Sequence, residues 1–133
     1  GIKFVNDSKA TSFDATQHAL KRYKDIFWIV GGFPKLQDKF KLHYVRKNII
    51  KSYIIGKSIN YFKKQIGRMV ESKSSFTIEN ALKNIIKDFL ILNKKKATIL
   101  LSPASASYDQ FNNFTERGKY FKKLSLKYAR KFL

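Results

Sequence analysis

Three short segments hold most of the side chains able to do chemistry. Asn6-Asp7-Ser8-Lys9-Ala10-Thr11 brings a carboxylate, hydroxyls and an ammonium group to the threshold of a helical pattern. A helix start offers unpaired backbone N–H groups that attract anions, and Lys9 adds a full positive charge. Asp7 suits a pair of ribose hydroxyls as their acceptor. In Gly31-Gly32-Phe33-Pro34-Lys35, the glycines let the backbone approach a ligand and Lys35 supplies charge. Ser102-Pro103-Ala104-Ser105-Ala106-Ser107-Tyr108-Asp109-Gln110-Phe111 runs small side chains into a polar and aromatic stretch. There a ligand can reach backbone N–H groups, with serine hydroxyls alongside. Each segment also suits an ordinary capped turn or strand end, and Phe111 and Phe114 suit the core as well as a pocket wall. No serine has a histidine partner in a recognisable nucleophile motif, and no pair of acids stands at a telling spacing. Neither Gly-x-x-x-x-Gly-Lys-Ser/Thr nor Gly-x-Gly-x-x-Gly occurs. The residues point to the binding of an anionic small molecule, neutralised by lysines and oriented by hydroxyls and backbone.

Composition narrows the classes. The 133 residues suffice for one domain with its own core, and 44% apolar with 28% charged is a globular balance. The absence of cysteine excludes a disulfide scaffold, a zinc-thiolate centre and a cysteine nucleophile. His18 and His43 are isolated and too few for a histidine metal cluster, so no metal site is expected. No apolar run reaches the roughly 20 residues of a membrane span. Lys plus Arg total 28 against 9 acids, a net charge of +19 that attracts polyanions. Yet 23 of those cations are lysine, spread through every element, whereas base and phosphate recognition favours the planar fork of arginine. A solvated background charge is the reading this favours. A small basic nucleic-acid-binding module, with aromatic rings stacking bases, is the alternative. The opening Gly-Ile-Lys-Phe-Val lacks a start methionine and a signal peptide, and reads as a cut through a longer chain.

These segments need elements to position them. Lys3 to Asn6 reads as the end of a strand. Thr11 or Ser12 then caps a helix over about 13 to 24, with Ala15, Ala19, Leu20 and Tyr23 on its apolar face. Ile26 to Val30 and Ala97 to Leu101 are continuous apolar runs, as in strands buried on both sides, and Ile49 to Ile55 holds another. A short helix is expected over 38 to 47. Ser58 would cap a further helix bearing Ile59, Phe62, Ile66 and Met69. Thr77 to Leu92 repeats Ile78, Ala81, Leu82, Ile85, Ile86, Phe89 and Leu90 at helical spacing, with Thr77 as N-cap. Lys94 to Lys96 form a solvated turn. A last helix starts near Thr115 and packs Phe121, Leu124 and Tyr128. Strand and helix alternate throughout. The expected fold is therefore a three-layer α/β domain, Rossmann-like, with a mainly parallel sheet and helices on both faces. Ligands of such folds bind where loops leave the carboxyl ends of the strands.

Asn-Asp-Ser-Lys-Ala-Thr at 6 to 11, Gly-Gly-x-x-Lys at 31 to 35, Ser-Pro-Ala-Ser-Ala-Ser-Tyr-Asp-Gln-Phe at 102 to 111 and Asn113-Phe114-Thr115-Glu116-Arg117-Gly118 occur in this order. Together they resemble the C-terminal domain of the Mur ligases that add D-glutamate to UDP-N-acetylmuramoyl-L-alanine, the MurD family. The resemblance covers nearly the whole chain. It departs at Phe33-Pro34 in the lysine loop, at Ser105 where cysteine is frequent, and at Tyr108 where leucine or phenylalanine is usual. It implies that residues 1–133 are the amino-acid-binding domain of an ATP-dependent amide ligase, short of its first few residues. The central ATPase and N-terminal UDP-binding domains are then absent, and with them the residues for Mg2+. It further implies a cytoplasmic, monomeric bacterial enzyme of peptidoglycan synthesis, with roles in cell shape and division. By this resemblance Lys9, Thr11, Lys35, Ser107, Tyr108 and Phe114 bind D-glutamate, and Asn6 and Asp7 face the nucleotide. None of them is catalytic. The chain alone is expected to release no phosphate from ATP in the presence of UDP-N-acetylmuramoyl-L-alanine and D-glutamate; release dependent on both would overturn this.

Overall fold

Ile26–Val30 (β2) and Ala97–Leu101 (β5) are buried along their whole length, as their unbroken apolar sequences require of central strands. Ile2–Asn6 (β1), Ile49–Ile55 (β3) and Ser72–Phe76 (β4) complete a sheet in the order β1-β5-β2-β3-β4. Every pairing in it is parallel. The structure, a computed structural model, describes residues 1–132. The helices Phe13–Arg22 (α1) and Ile59–Ile66 (α2) cover one face. There Phe13, Leu20, Phe62 and Ile66 pack against Trp28, Val30, Ile54 and Leu100. Ile78–Ile91 (α3) and Phe114–Phe132 (α4) cover the other, where Leu82, Ile85, Phe121 and Leu124 meet Phe27, Ile29, Tyr53 and Leu101. Each such side chain, fully buried, contributes roughly 1.5–3 kcal/mol. The three-layer α/β expectation holds, and the sheet is parallel throughout rather than mainly so.

Four local expectations need correction. No helix forms over 38 to 47: the chain from Gly31 to Val45 is irregular and ends in one 3-10 turn, Arg46–Asn48. Its spacing of Leu42 and Val45 mimics a helix, and both are indeed buried. Its polar groups, however, are tied to neighbours. Asp38 Oδ2 accepts from the Phe13 N–H at 2.6 Å, and the Phe40 N–H donates to Gln65 Oε1 at 3.2 Å. β4 was not foreseen, because an edge strand reading Ser-Lys-Ser-Ser-Phe has no apolar pattern. α2 stops at Ile66, so Met69 lies beyond it and is exposed, and the Ser58 side chain makes no capping bond. In α1 the cap is Ser12, accepting from the Ala15 N–H, while Ala15 itself faces solvent and Tyr23 is the C-cap. Thr77 caps α3 as expected.

α3 is fastened to β3 by a polar cluster. Lys51 Nζ and Tyr53 Oη donate to Asp88 Oδ2 at 2.9 and 2.7 Å. Desolvation works to raise the Asp88 carboxyl. Against it stand the Lys51 and Tyr53 hydrogen bonds and the Lys51 and Lys73 charges, which together hold the group below its ordinary value. A carboxylate depressed in the folded state stabilises above its unfolded pKa, and that contribution fades as pH falls through the folded value. Asp88→Asn is therefore expected to destabilise by about 1–3 kcal/mol at pH 7. The gap from the unsubstituted chain should narrow below about pH 4, as read by urea unfolding; a gap constant with pH would contradict the cluster.

Candidate functional site

β5 lies between β1 and β2, and Leu101 is level with both Asn6 and Ile29. The three chemistry-bearing segments thus leave three adjacent strands at one height, at the carboxyl end of the sheet. The chain fills β1, β2, β3 and β4 before returning to insert β5, so this is also where strand order breaks.

The first loop is anchored from β1. The Asp7 N–H extends the ladder to the Leu101 carbonyl at 2.7 Å. Asp7 Oδ2 accepts from Ser102 Oγ at 2.7 Å, and that hydroxyl stands 2.9 Å from Thr16 Oγ1. The Ser102 carbonyl accepts from Trp28 Nε1 at 2.8 Å, so a buried polar chain runs from Asp7 into the core. Asn6 Nδ2 donates to the Gly118 carbonyl at 3.3 Å, and its Oδ1 accepts from the Ser8 N–H at 3.2 Å.

The second and third loops are stitched together. Phe33 and Ala106 exchange backbone bonds at 2.8 and 3.1 Å, and the Gly31 N–H donates to the Pro103 carbonyl at 3.0 Å. This close approach needs glycine. Gly32 has φ +143°, and a methyl group there would sit 2.6 Å from the Ala106 oxygen and 2.8 Å from Ser105 Oγ. The third loop continues across the sheet end. Asp109 Oδ2 accepts from the Lys57 N–H at 3.1 Å, and Gln110 Nε2 donates to the Phe76 carbonyl at 2.7 Å.

All three loops meet at Arg117, in the first turns of α4. Its side chain is 1% exposed. Nε donates to Ser8 Oγ at 2.9 Å; Nη2 donates to the carbonyls of Ser8 at 2.7 Å and Ser105 at 3.0 Å. Nη1 has no partner. It lies 3.4 Å from where a Gly32 methyl would be. Burial pushes the guanidinium down to about 10, with Asp109 acting against the shift, so it stays charged at neutral pH. Ser8 Oγ in turn donates to the Phe114 carbonyl at 2.6 Å. Sequence reading assigned no role to Arg117. One signal was present: Arg117, Phe121, Leu124 and Tyr128 share a helical stripe whose other members are core residues.

The foreseen site residues fall around this knot. Lys9 and Phe114 line one cavity of about 260 Å3 with Ser8, Thr115 and Gly118. Asn6, Asp7 and Lys9 line a neighbouring cavity of about 560 Å3 with His18, Arg22 and Tyr23. Ser107 is buried, and its carbonyl accepts from the N–H groups of Gln110 and Phe111 in a tight turn. Tyr108 is 71% exposed. Lys35 and Thr11 are exposed on their loops, with the Lys35 carbonyl held by Tyr61 Oη at 2.9 Å. The arrangement offers mobile cations over fixed hydroxyls and backbone donors, a setting for an anionic ligand. The sheet's own aromatics Phe27, Trp28 and Tyr53 are sealed within the layers and cannot stack on bases, while Phe33, Tyr108 and Phe114 are exposed at the loops. Among the described residues no three of His, Cys, Asp and Glu gather as a metal site. Gly32→Ala is expected to cost about 1–3 kcal/mol and to speed hydrogen exchange at Phe33 and Ala106; unchanged exchange at both would contradict the stitched loops.

No family model matches the chain. Among known proteins it is 42% identical over 123 residues to the UDP-N-acetylmuramoylalanine--D-glutamate ligase of Bradyrhizobium diazoefficiens, covering 92% of this chain and 26% of that one. It is 41% identical over the same shares to the ligase of that name from Nitrobacter winogradskyi. The Bartonella henselae ligase is 40% identical over 120 residues, 90% of this chain and 26% of its own length. The chain therefore spans about a quarter of the length of these relatives. Identity at this level, over nine-tenths of its residues, matches the chain to the C-terminal domain of UDP-N-acetylmuramoylalanine--D-glutamate ligases.

Proposed function

We propose that this chain is the C-terminal domain of a ligase of peptidoglycan synthesis, and that it binds D-glutamate for attachment to UDP-N-acetylmuramoyl-L-alanine. The observation that carries this reading is the convergence of the Lys9, Lys35 and Ser107 loops from three adjacent strands, the first and last bonded to one buried arginine and the Lys35 loop bridged to the last. D-glutamate has two carboxylates, and the loops supply what two carboxylates need. Lys35 and Thr11 hold one. Ser107, the backbone of Tyr108 and the region of Phe114 hold the other, and Lys9 stands by the substrate and phosphates. Asp7 faces the ATP ribose, which agrees with its half-buried place beside Asn6 and Lys9 in the larger cavity. In the whole enzyme the L-alanine carboxylate would take the γ-phosphoryl group of ATP, with ADP leaving, and the D-glutamate amine would then displace phosphate to form the amide. The domain's own work is to hold the amine in line for attack and to close over the site, which lowers the entropic cost and excludes water. Mg2+ would be held with the phosphates by acids outside these residues, where it would neutralise phosphate charge. The reading implies a cytoplasmic, monomeric enzyme. No helix among the described residues is long and apolar enough to cross a membrane.

D- and L-glutamate titrated into the isotopically labelled chain, followed by amide NMR, test this. Binding is expected for the D enantiomer, with shifts at Lys35, Ser107 and Tyr108. Lys35→Ala should weaken it by about tenfold or more, the loss of one charge-assisted bond. Equal response to both enantiomers, together with RNA binding that falls steeply with salt, would instead favour a nucleic-acid module.

A further inference from the structure

We infer that Arg117 is a positioning residue for the amino-acid site, fixing the first and third ligand loops directly and the second through its Phe33–Ala106 bridge to the third. The inference rests on the D-glutamate reading above. Each of these attachments lies within two residues of a ligand-binding side chain. Ser8 lies between Asp7 and Lys9, Ser105 is two residues before Ser107, and the bridging Phe33 is two before Lys35. Through Ser8 Oγ it also sets the Phe114 carbonyl at the entry to α4. Its acceptors are one hydroxyl and two carbonyls, facing different loops, and only a planar fork addresses them together. Lysine carries the charge but not the fork.

The surroundings of this group carry a cost to stability. The charge is buried with no carboxylate within ion-pair distance among the described residues, and one donor of the fork is unpaired. A buried charge without an ion partner is costly, and that cost offsets part of what its hydrogen bonds contribute. The two roles therefore separate by measurement. A residue kept for packing alone loses stability but not ligand affinity when replaced; one kept for loop geometry loses ligand affinity while the fold persists.

Arg117→Met and Arg117→Lys, in the 133-residue chain, are to be compared with the unsubstituted chain by urea unfolding and D-glutamate titration. Both variants are expected to fold, with Arg117→Met at a lower urea midpoint because the Ser8 and Ser105 acceptors lose their donor. Both should bind D-glutamate at least about tenfold more weakly, with the altered amide shifts centred on Gly32, Ser105 and Ser107. Unchanged affinity in Arg117→Lys would overturn the inference, because the fork would then be dispensable. Loss of fold in both variants would overturn it equally, since the residue would be structural. If the unsubstituted chain binds neither enantiomer, the D-glutamate reading itself fails. If it binds D-glutamate and the variants bind as well, only the role of Arg117 falls.

Discussion

The Arg117 guanidinium joins three stretches of chain that are strangers in sequence. It bonds to Ser8, 109 residues away, and to Ser105, and its free Nη1 lies against the backbone of Gly32. Water is excluded there, so each hydrogen bond is stronger than in solvent, and each missing one is more costly. The loops around it are built to accept that group. Ser8 is buried, with its hydroxyl aligned between Nε and the Phe114 carbonyl, and Gly32 carries no side chain that would displace Ser105 or Ala106. The proposed ligand-binding residues lie on the two loops bonded to this group and on the one bridged to them through Phe33 and Ala106.

Behind the arginine stands a second requirement, the order of the strands. Because β5 separates β1 from β2, the loops that follow these three strands are neighbours. The polar chain from Asp7 through Ser102 to Trp28 holds the first and third loops in step at the top of the sheet. The Phe33–Ala106 bridge does the same for the second and third. Among the described residues the Lys9 and Lys35 ammonium groups stand outside this framework. They are exposed at the rim, where side-chain freedom suits them to meet a ligand rather than to hold a fold.

How much of this was legible in the sequence depends on what each residue faces. β2 and β5 read as strands because both their faces are covered and every side chain is apolar. β4 did not, because it lies at an edge and gains its place from backbone pairing with β3, which leaves no mark on side-chain pattern. Leu42 and Val45 imitated a helix because burial at a spacing of three needs no helix when the polar groups just before them, at Asp38 and Phe40, are tied to α1 and α2. The loops with chemistry were legible in composition, and their family likeness was legible in motif. Their common attachment was not, because a contact across 109 residues has no local signature. Arg117 betrayed itself only as a charge on a stripe of core residues.

The position of β5 has a consequence for how the molecule comes into being. The strand at the centre of the site is the last to leave the ribosome, and until it arrives β1 has no partner at all in the sheet. A nascent chain can pair β2, β3 and β4 and pack α2 and α3 on them while its first six residues wait unpaired. Only when Ala97–Leu101 slides between β1 and β2, and the start of α4 follows with its guanidinium, do the first loop and the third acquire a common wall. The binding surface can therefore assemble only after β5 and the start of α4 have been made.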